Sequence, residues 1–355
     1  MTRPPLRLWL LLGLLLLATL ISLSAGTVWL TPDTVLDRLL AHDGLDFEVW
    51  NHRLPRSLIA ILAGAAFGLA GAIVQGVIRN PLASPEILGV TQGAGLALTV
   101  AIISWPHLPI AWLPLVACLG GAGGALLLAL YNTGVSFSGV RFALSGVAIA
   151  VTLSSVTEFL ILSHPLDINT ALLALTGSLW SRNWHHVALV LPFLVLIPLG
   201  LCLAKPLNLI ALGDEAAHSL GTALNRTRWL AMACAVLLTS LGVGVIGPIG
   251  FIGLVSPHMA RRLVGGHHQF LLPAAMLIGA LCHEQPESAL FLGLGAGTLT
   301  QAFLKFLPLE DVEAIELRPD VPRLAIEYLG LDDDPRLYIR VGDALELLPT
   351  AEPAD

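Results

Sequence analysis

Apolar stretches of bilayer length recur along most of this chain, and no other feature constrains its fold as tightly. A hydrocarbon core about 30 Å thick takes about 20 apolar residues in helical form, fewer where neighbours shelter the helix. Lipid offers no partner to a free backbone N–H or C=O, so each stretch is expected to be a helix. The pattern predicts eight spans: Leu8 to Leu30, Ser57 to Ile78, Leu88 to Ser104, Ile110 to Leu130, Phe142 to Leu162, Val187 to Ala204, Trp229 to Ile246, and a short one from Phe251 to Val264. The first can instead be read as a secretory signal cleaved near Ala25. The apolar run continuing through Val28 to Leu30, with many spans behind it, favours an uncleaved helix. With the N-terminus inside, the inner segments carry Arg3, Arg7, Arg79, Arg141, Lys205, Arg226, Arg228, Arg261 and Arg262, against Arg38, Arg53, Arg56 and Arg182 outside. This bias obeys the positive-inside rule, and the inverted topology violates it.

Composition agrees, since 55% of residues are hydrophobic and only 12% charged, which excludes a string of soluble domains. Charge is uneven: residues 1–282 hold 13 Lys+Arg and 10 Asp+Glu, residues 283–355 hold 5 and 15. The net charge of −7 therefore belongs to the C-terminal part, and a nucleic-acid binder is disfavoured. Cys118, Cys202, Cys234 and Cys282 lie far apart in or at the end of apolar runs and read as small core residues. The His185-His186 and His267-His268 pairs lack a carboxylate or thiol at ligand spacing, so no metal site is expected. Gly64 and Gly68, and the cluster Gly120, Gly121, Gly123 and Gly124, predict close helix packing. Glu158 is the one acidic residue inside a span, which leaves no relay of the kind a proton-driven pump needs. A ninth apolar stretch, Phe270 to Cys282, is too short to cross and reads as re-entrant or interfacial. His283 to Ser288 breaks it, and an α/β pattern follows. Eight crossings would place both termini in the cytoplasm.

Four connecting segments are more particular than loops need to be. Arg53 and Arg56, in Arg53-Leu54-Pro55-Arg56, stand at the outer mouth of the second span, either snorkelling or offering forks to the carboxylates of a partner. Gln75 to Gly89, with Asn80, Pro81 and Pro85, reads as a cytoplasmic hairpin between spans two and three. Gly213 to Gly221 (Asp214, Glu215, Ala216, Ala217, His218, Ser219 and Leu220 between two glycines) is too polar to insert, and predicts a short helix on the inner surface. Gly247-Pro248-Ile249-Gly250, running on through Pro257 and His258, interrupts the bundle, and irregular backbone at that depth must be buried or line a cavity.

The runs RLPR, GxxxQGxxRNPLASPEILG, LSGVAIA, TGSLW, LNLIALGDEAAHSLG and GPIGFIGLVSPHMARRLVG, in that order over residues 1 to about 281, resemble the permease family of ferric-siderophore, haem and cobalamin ATP-binding-cassette importers. The resemblance implies a homodimeric inner-membrane permease working by alternating access. Its coupling helix would lie within Gly213 to Gly221, with Asp214, Glu215, Ala216, Ser219 and Leu220 facing a cytoplasmic ATPase dimer that binds the ATP. It also implies an external binding protein docking at Arg53 and Arg56, and a translocation path or hairpin drawing on Gln75, Asn80, Pro81, Gly247, Pro248, Pro257 and His258. Agreeing with this, the chain lacks a GxxxxGK[ST] phosphate loop and is expected to be no enzyme. It departs from the family pattern after the eighth span, where a full ninth and a tenth span are expected and absent.

Beyond residue 283, an apolar strand leads into Gly293, Gly295 and Gly297. Later strands end at Glu316 and before Asp343. A glycine turn before a helix and a carboxylate ending the next strand suit a nucleotide. These residues resemble the start of the nucleotide-binding domain of spermidine-synthase-like S-adenosylmethionine-dependent transferases, which implies a cofactor turn at the glycines, a ribose acceptor at Glu316 and an adenine contact at Asp343. With about three of the seven usual strands and no catalytic acidic loop, the segment is expected to hold a vestigial site. The fold class expected for the whole is an all-α polytopic membrane protein with a C-terminal α/β Rossmann-like fragment. The competing readings are a membrane-anchored transferase and a non-functional gene fusion.

Overall fold

A computed structural model describes residues 4–25, 29–41, 46, 48–132, 140–164, 175, 177–179, 182–221, 223–281, 288–292, 311–328, 331 and 334–342. The chain divides into two units, Met1–His283 and Glu284–Asp355. In the first, α1 (Pro4–Ser24) is followed by a short amphipathic α2 (Pro32–Ala41) and a π-helical turn, Val49–Arg53, that runs straight into α3 (Leu54–Ile78). Then come α4 (Val90–Ser104), α5 (Leu113–Tyr131) and α6 (Val140–Ser163). A long apolar rod follows in three pieces, α7 (Trp184–Val190), α8 (Phe193–Cys202) and α9 (Ala204–Ala211), broken next to Pro192 and again at Leu203. The surface helix α10 (Asp214–Ser219), then α11 (Leu224–Ile246), α12 (Ile252–Val264) and α13 (His268–Leu281) complete it.

The centre of this unit is α3, whose residues from Ala63 to Ile78 are all buried. It is almost free of polar side chains and rich in Ala and Gly, so neighbours close on its backbone. A Cβ on Gly64 would run into the Gly279 carbonyl, and one on Gly68 into that of Ala275. As numbers rise along α3 they fall along α13, so the two helices are antiparallel. In the same way Gly93 meets Gly120 and Gly124 meets Gly89, which binds α4 to α5, while Gly121 meets Ser240 of α11.

Three expectations need correction. Among the described residues, six helices are long and apolar enough to cross a bilayer, and Val90–Ser104 and His268–Leu281 are shorter apolar helices. The stretch read as an eighth span is α12, of 13 residues, which begins against Gly71 in the middle of α3 rather than at a membrane face. The ninth stretch does not lie at an interface: α13 is buried along nearly its whole length, packed against α3. Antiparallel to α3, it carries the chain toward the end where Leu54 lies, away from Ile78. The small residues of α13 let it hide in the bundle, a property that length alone does not show.

The second unit holds three parallel strands in the order β1 (Ser288–Leu292), β2 (Asp311–Glu316) and β3 (Leu337–Val341), with α14 (Asp320–Tyr328) between β2 and β3. Ala289 pairs with Val312 and Ala314 with Ile339. Ala314, Ala325 and Leu331 form its small core, and Arg340 pairs with Glu313 at 2.9 Å across β2 and β3. Gly293, Gly295, Gly297 and Asp343 lie outside the described residues.

Candidate functional site

Three segments that are far apart in sequence meet at mid-bundle. Arg79 ends α3 in the left-handed conformation (φ 56), and the Asn80 carboxamide oxygen accepts the Leu82 N–H at 2.9 Å, turning the chain sharply. The expected cytoplasmic hairpin does not stay at the surface. Pro85 packs on Gly253, and Gly253 lies against Gly71, seven residues before the end of α3. That is about 10 Å inward at 1.5 Å per residue. Because Asn80 to Gly89 climbs this far, α4 starts halfway up and needs only 15 residues.

At the top of the climb the Glu86 carboxylate accepts the Phe251 N–H at 3.3 Å, and a Cβ on Gly250 would press on the same carboxylate. Gly177, in the left-handed region at φ 68, comes up against the Pro248 carbonyl. Phe251 itself has φ 65 and ψ −30, a costly conformation for an aromatic residue, and its side chain is 70% exposed. The PEILG and GPIGF segments, with Gly177 between them in sequence, thus form one irregular cluster, with Gly247 buried, Pro248 to Gly250 half-buried and Phe251 exposed.

Below the cluster, Gln75 is a brace rather than a lining group. It is 2% exposed, donating from Nε2 to the Leu254 carbonyl at 3.4 Å and accepting from Arg261 Nη2 at 3.2 Å. Pro257, also buried, has no N–H for the Gly253 carbonyl one turn back, the group that Gly71 meets. Asn80 is half-buried, and Pro81 and His258 are exposed. Asn208 takes up the second histidine pair: its Oδ1 accepts the His268 N–H and lies 2.9 Å from His268 Nδ1, and its Nδ2 is 3.1 Å from His267 Nδ1. No group of three His, Cys, Asp or Glu able to hold a metal occurs among the described residues.

The segment Gly213 to Gly221 forms a helix, as the sequence suggests, but its charges do not share one face. Asp214, its side chain 41% exposed, is paired with the bundle, receiving both guanidinium nitrogens of Arg228 at 2.8 and 3.0 Å and Arg79 Nη2 at 3.0 Å. The hydrogen bonds and charge of Arg228, with Arg79 beside it, hold the Asp214 carboxyl below its usual range, against a smaller opposing effect of burial. Folding thus favours the ionised form, and this contribution persists above the unfolded carboxylate range and fades as pH falls through the folded value. Ala217 is buried, Ala216 is half-buried, and Glu215, His218, Ser219, Leu220 and Gly221 are exposed. The exposed face includes Leu212 and Leu220, at 64% and 60% exposure.

At the opposite end Arg53 also departs from expectation. Its side chain is buried, donating from Nη1 to the carbonyls of Leu23 and Ser24 at 2.9 and 3.0 Å and lying 3.7 Å from Glu48. It caps the C-terminal end of α1, where free carbonyls favour a cation, and is not presented for docking. Arg56 is half-buried. Arg53→Ala is therefore expected to cost about 2 kcal/mol by losing charged hydrogen bonds to buried carbonyls, and Arg56→Ala much less. Thermal unfolding of both purified variants checks this; equal shifts would count against the capping role. Sequence reasoning missed Glu86 and the Asp214 pairing. Glu86, a lone acid between Pro85 and an apolar Ile-Leu, was the available signal.

A profile of the FecCD transport family matches residues 14–284. The chain is 43% identical over 281 residues to the Fe(3+)-citrate import system permease protein YfmE of Bacillus subtilis, covering 79% of this chain and 84% of that one. It is 47% identical over 236 residues to the Fe(3+) dicitrate transport system permease protein FecD of Escherichia coli, covering 66% and 74%. A solved structure described as a metal-chelate type ABC transporter in an inward-facing conformation superposes with a TM-score of 0.69 at 32% identity, covering 79% of this chain and 88% of that one. The profile match, the sequence identities and the superposed fold point the same way, and the chain belongs to the FecCD transport family.

Proposed function

We propose that the chain is the membrane-spanning permease subunit of an ATP-driven importer for a ferric chelate of the citrate or siderophore class, or a related cobalamin or haem, in the bacterial inner membrane. One observation carries the reading: PEILG, GPIGF and Gly177 meet as irregular backbone at mid-bundle, where such backbone is tolerated only against protein or along a water-filled path. A homodimer is supported by α6, whose outward face exposes Glu158 together with Phe159 and Leu162. An ionisable group on a spanning helix is covered by protein or water rather than lipid. A cytoplasmic ATPase dimer binds the ATP and takes the exposed face of α10, and an external binding protein meets the outer end, where Arg56 stands. The N-terminus is cytoplasmic.

The test is ATP-dependent uptake into liposomes carrying the chain, its ATPase and its binding protein, supplied in turn with ferric citrate, a ferric siderophore, cobalamin and haem. Uptake of none of them would sink the proposal. The second unit is read as a partial nucleotide-binding fold of the spermidine-synthase-like type, without transferase activity. Its parallel strand order and Glu316 at the end of β2 support this. Glu316 is buried and already accepts the Arg318 N–H at 3.1 Å. Calorimetric titration with S-adenosylmethionine and an amine acceptor is expected to show no heat of turnover.

A further inference from the structure

Helix α10 has six residues and a glycine N-cap at φ 105 without a side-chain cap, and Ala217 is its only buried residue. A helix of one and a half turns has no stability of its own, so tertiary contacts must hold it. Asp214 supplies three polar ones. One Oδ1 receives Arg79 at 3.0 Å and Arg228 at 2.8 Å, and the other oxygen takes the second Arg228 nitrogen at 3.0 Å. Arg228 is buried and joins through both nitrogens, a fork that fixes orientation as well as distance.

The two arginines lead to one place by separate routes. Arg79 closes α3 in the left-handed region and is followed at once by Asn80 to Gly89, whose Glu86 holds the Phe251 N–H. Arg228 lies in the second turn of α11, which runs unbroken to Ile246 and passes directly into Gly247 to Phe251. From Arg228 to Ile246 is about 27 Å of continuous helix. Asp214, Arg79, Glu86, Phe251 and Arg228 therefore lie on one closed circuit of ion pairs, short loops and a rigid rod.

We infer that Asp214 is a positioning residue that transmits displacement of α10 to the mid-bundle cluster through both arms of this circuit, an inference that rests on the permease reading above. The carboxylate hangs on a single methylene, so the arginines are tied to the α10 backbone with little slack. Glu at this position keeps the charge and adds slack; Asn keeps the length and loses the charge. At residue 79, Asn tolerates left-handed backbone and removes one arm alone.

The experiment uses the full chain with its ATPase and binding protein in liposomes, and reads chelate transported, ATP hydrolysed and ATPase bound in the same preparation. Arg79→Asn, which leaves the Arg228 fork holding α10, is expected to bind the ATPase as the parent does yet to transport about tenfold less per ATP, the size of a lost coupling between sites; Asp214→Asn is expected to show the same loss per ATP on top of weaker binding, with Asp214→Glu between. A role confined to stability would lower binding, hydrolysis and transport together and leave their ratio alone, and that result overturns the inference, as does a parental ratio in both variants. If Asp214→Asn does not fold, Arg79→Asn decides. A parent chain that takes up no chelate sinks the permease reading and this inference with it, whereas a working parent with unaltered variants sinks the inference alone.

Discussion

Gly71→Ala is expected to destabilise the membrane unit by about 3 kcal/mol, at the top of the range for overpacking in a close-packed interior. A single added methyl would overlap the carbonyl, carbonyl carbon and Cα of Gly253, all backbone atoms of α12. Side chains turn away from an intruder; backbone does not, so α3 and α12 would have to separate. Separation would also pull Gly253 from Pro85 and strain the Gln75 bonds to Leu254 and Arg261. Gly13, with nothing within 4 Å of an added Cβ, is the control. Gly13→Ala is expected to be neutral or to stabilise by up to about 1 kcal/mol through helix propensity. Thermal unfolding of the two variants in detergent measures both, and similar shifts would mean that the α3–α12 contact is not as drawn.

Hydropathy made α3, α5, α6 and α11 legible almost to their ends, because a bilayer imposes length and apolarity together. It found the ends of α12 but read that helix as a span, and it missed the burial of α13, for a physical reason. A helix that starts at mid-bundle and one that starts at the membrane face both read as apolar; what separates them is the climb of Asn80 to Gly89 and the break at Gly247 to Gly250. Prolines and glycines announce such breaks without saying which way the chain turns.

Charge misled in a similar manner. Arg53 and Asp214 sit in polar segments and read as surface groups, yet their partners are carbonyls about 30 residues earlier and an arginine 14 residues later. Pairings at that separation belong to the packed structure and leave no local pattern. Of the four segments singled out as too particular for loops, two meet, with Gly177, in the mid-bundle cluster and a third forms α10.

The division on α10 between Asp214, paired with the bundle, and the exposed face yields the second large effect. Leu220→Asp is expected to weaken capture of the ATPase about 100-fold while leaving unfolding of the chain unchanged. Leu220 is 60% exposed, so its replacement removes nothing from the folded core, and exposed substitutions of this kind fall within about 0.5 kcal/mol. In a complex the apolar side chain would be desolvated, and truncating such a central contact costs about 2 kcal/mol or more. Burying a carboxylate there adds to that loss. Glu215→Lys, on the same exposed face, should weaken capture less, because a charge at the rim of an interface acts more on encounter than on dissociation. Asp214→Lys should behave in the opposite way, lowering the unfolding temperature because it sets a third cation beside Arg79 and Arg228. Pull-down of the ATPase by each purified variant, paired with its unfolding curve, separates the two classes. If Leu220→Asp captured the ATPase as well as the parent chain does, the exposed face of α10 would not be the docking face, and the partner would have to engage the chain elsewhere.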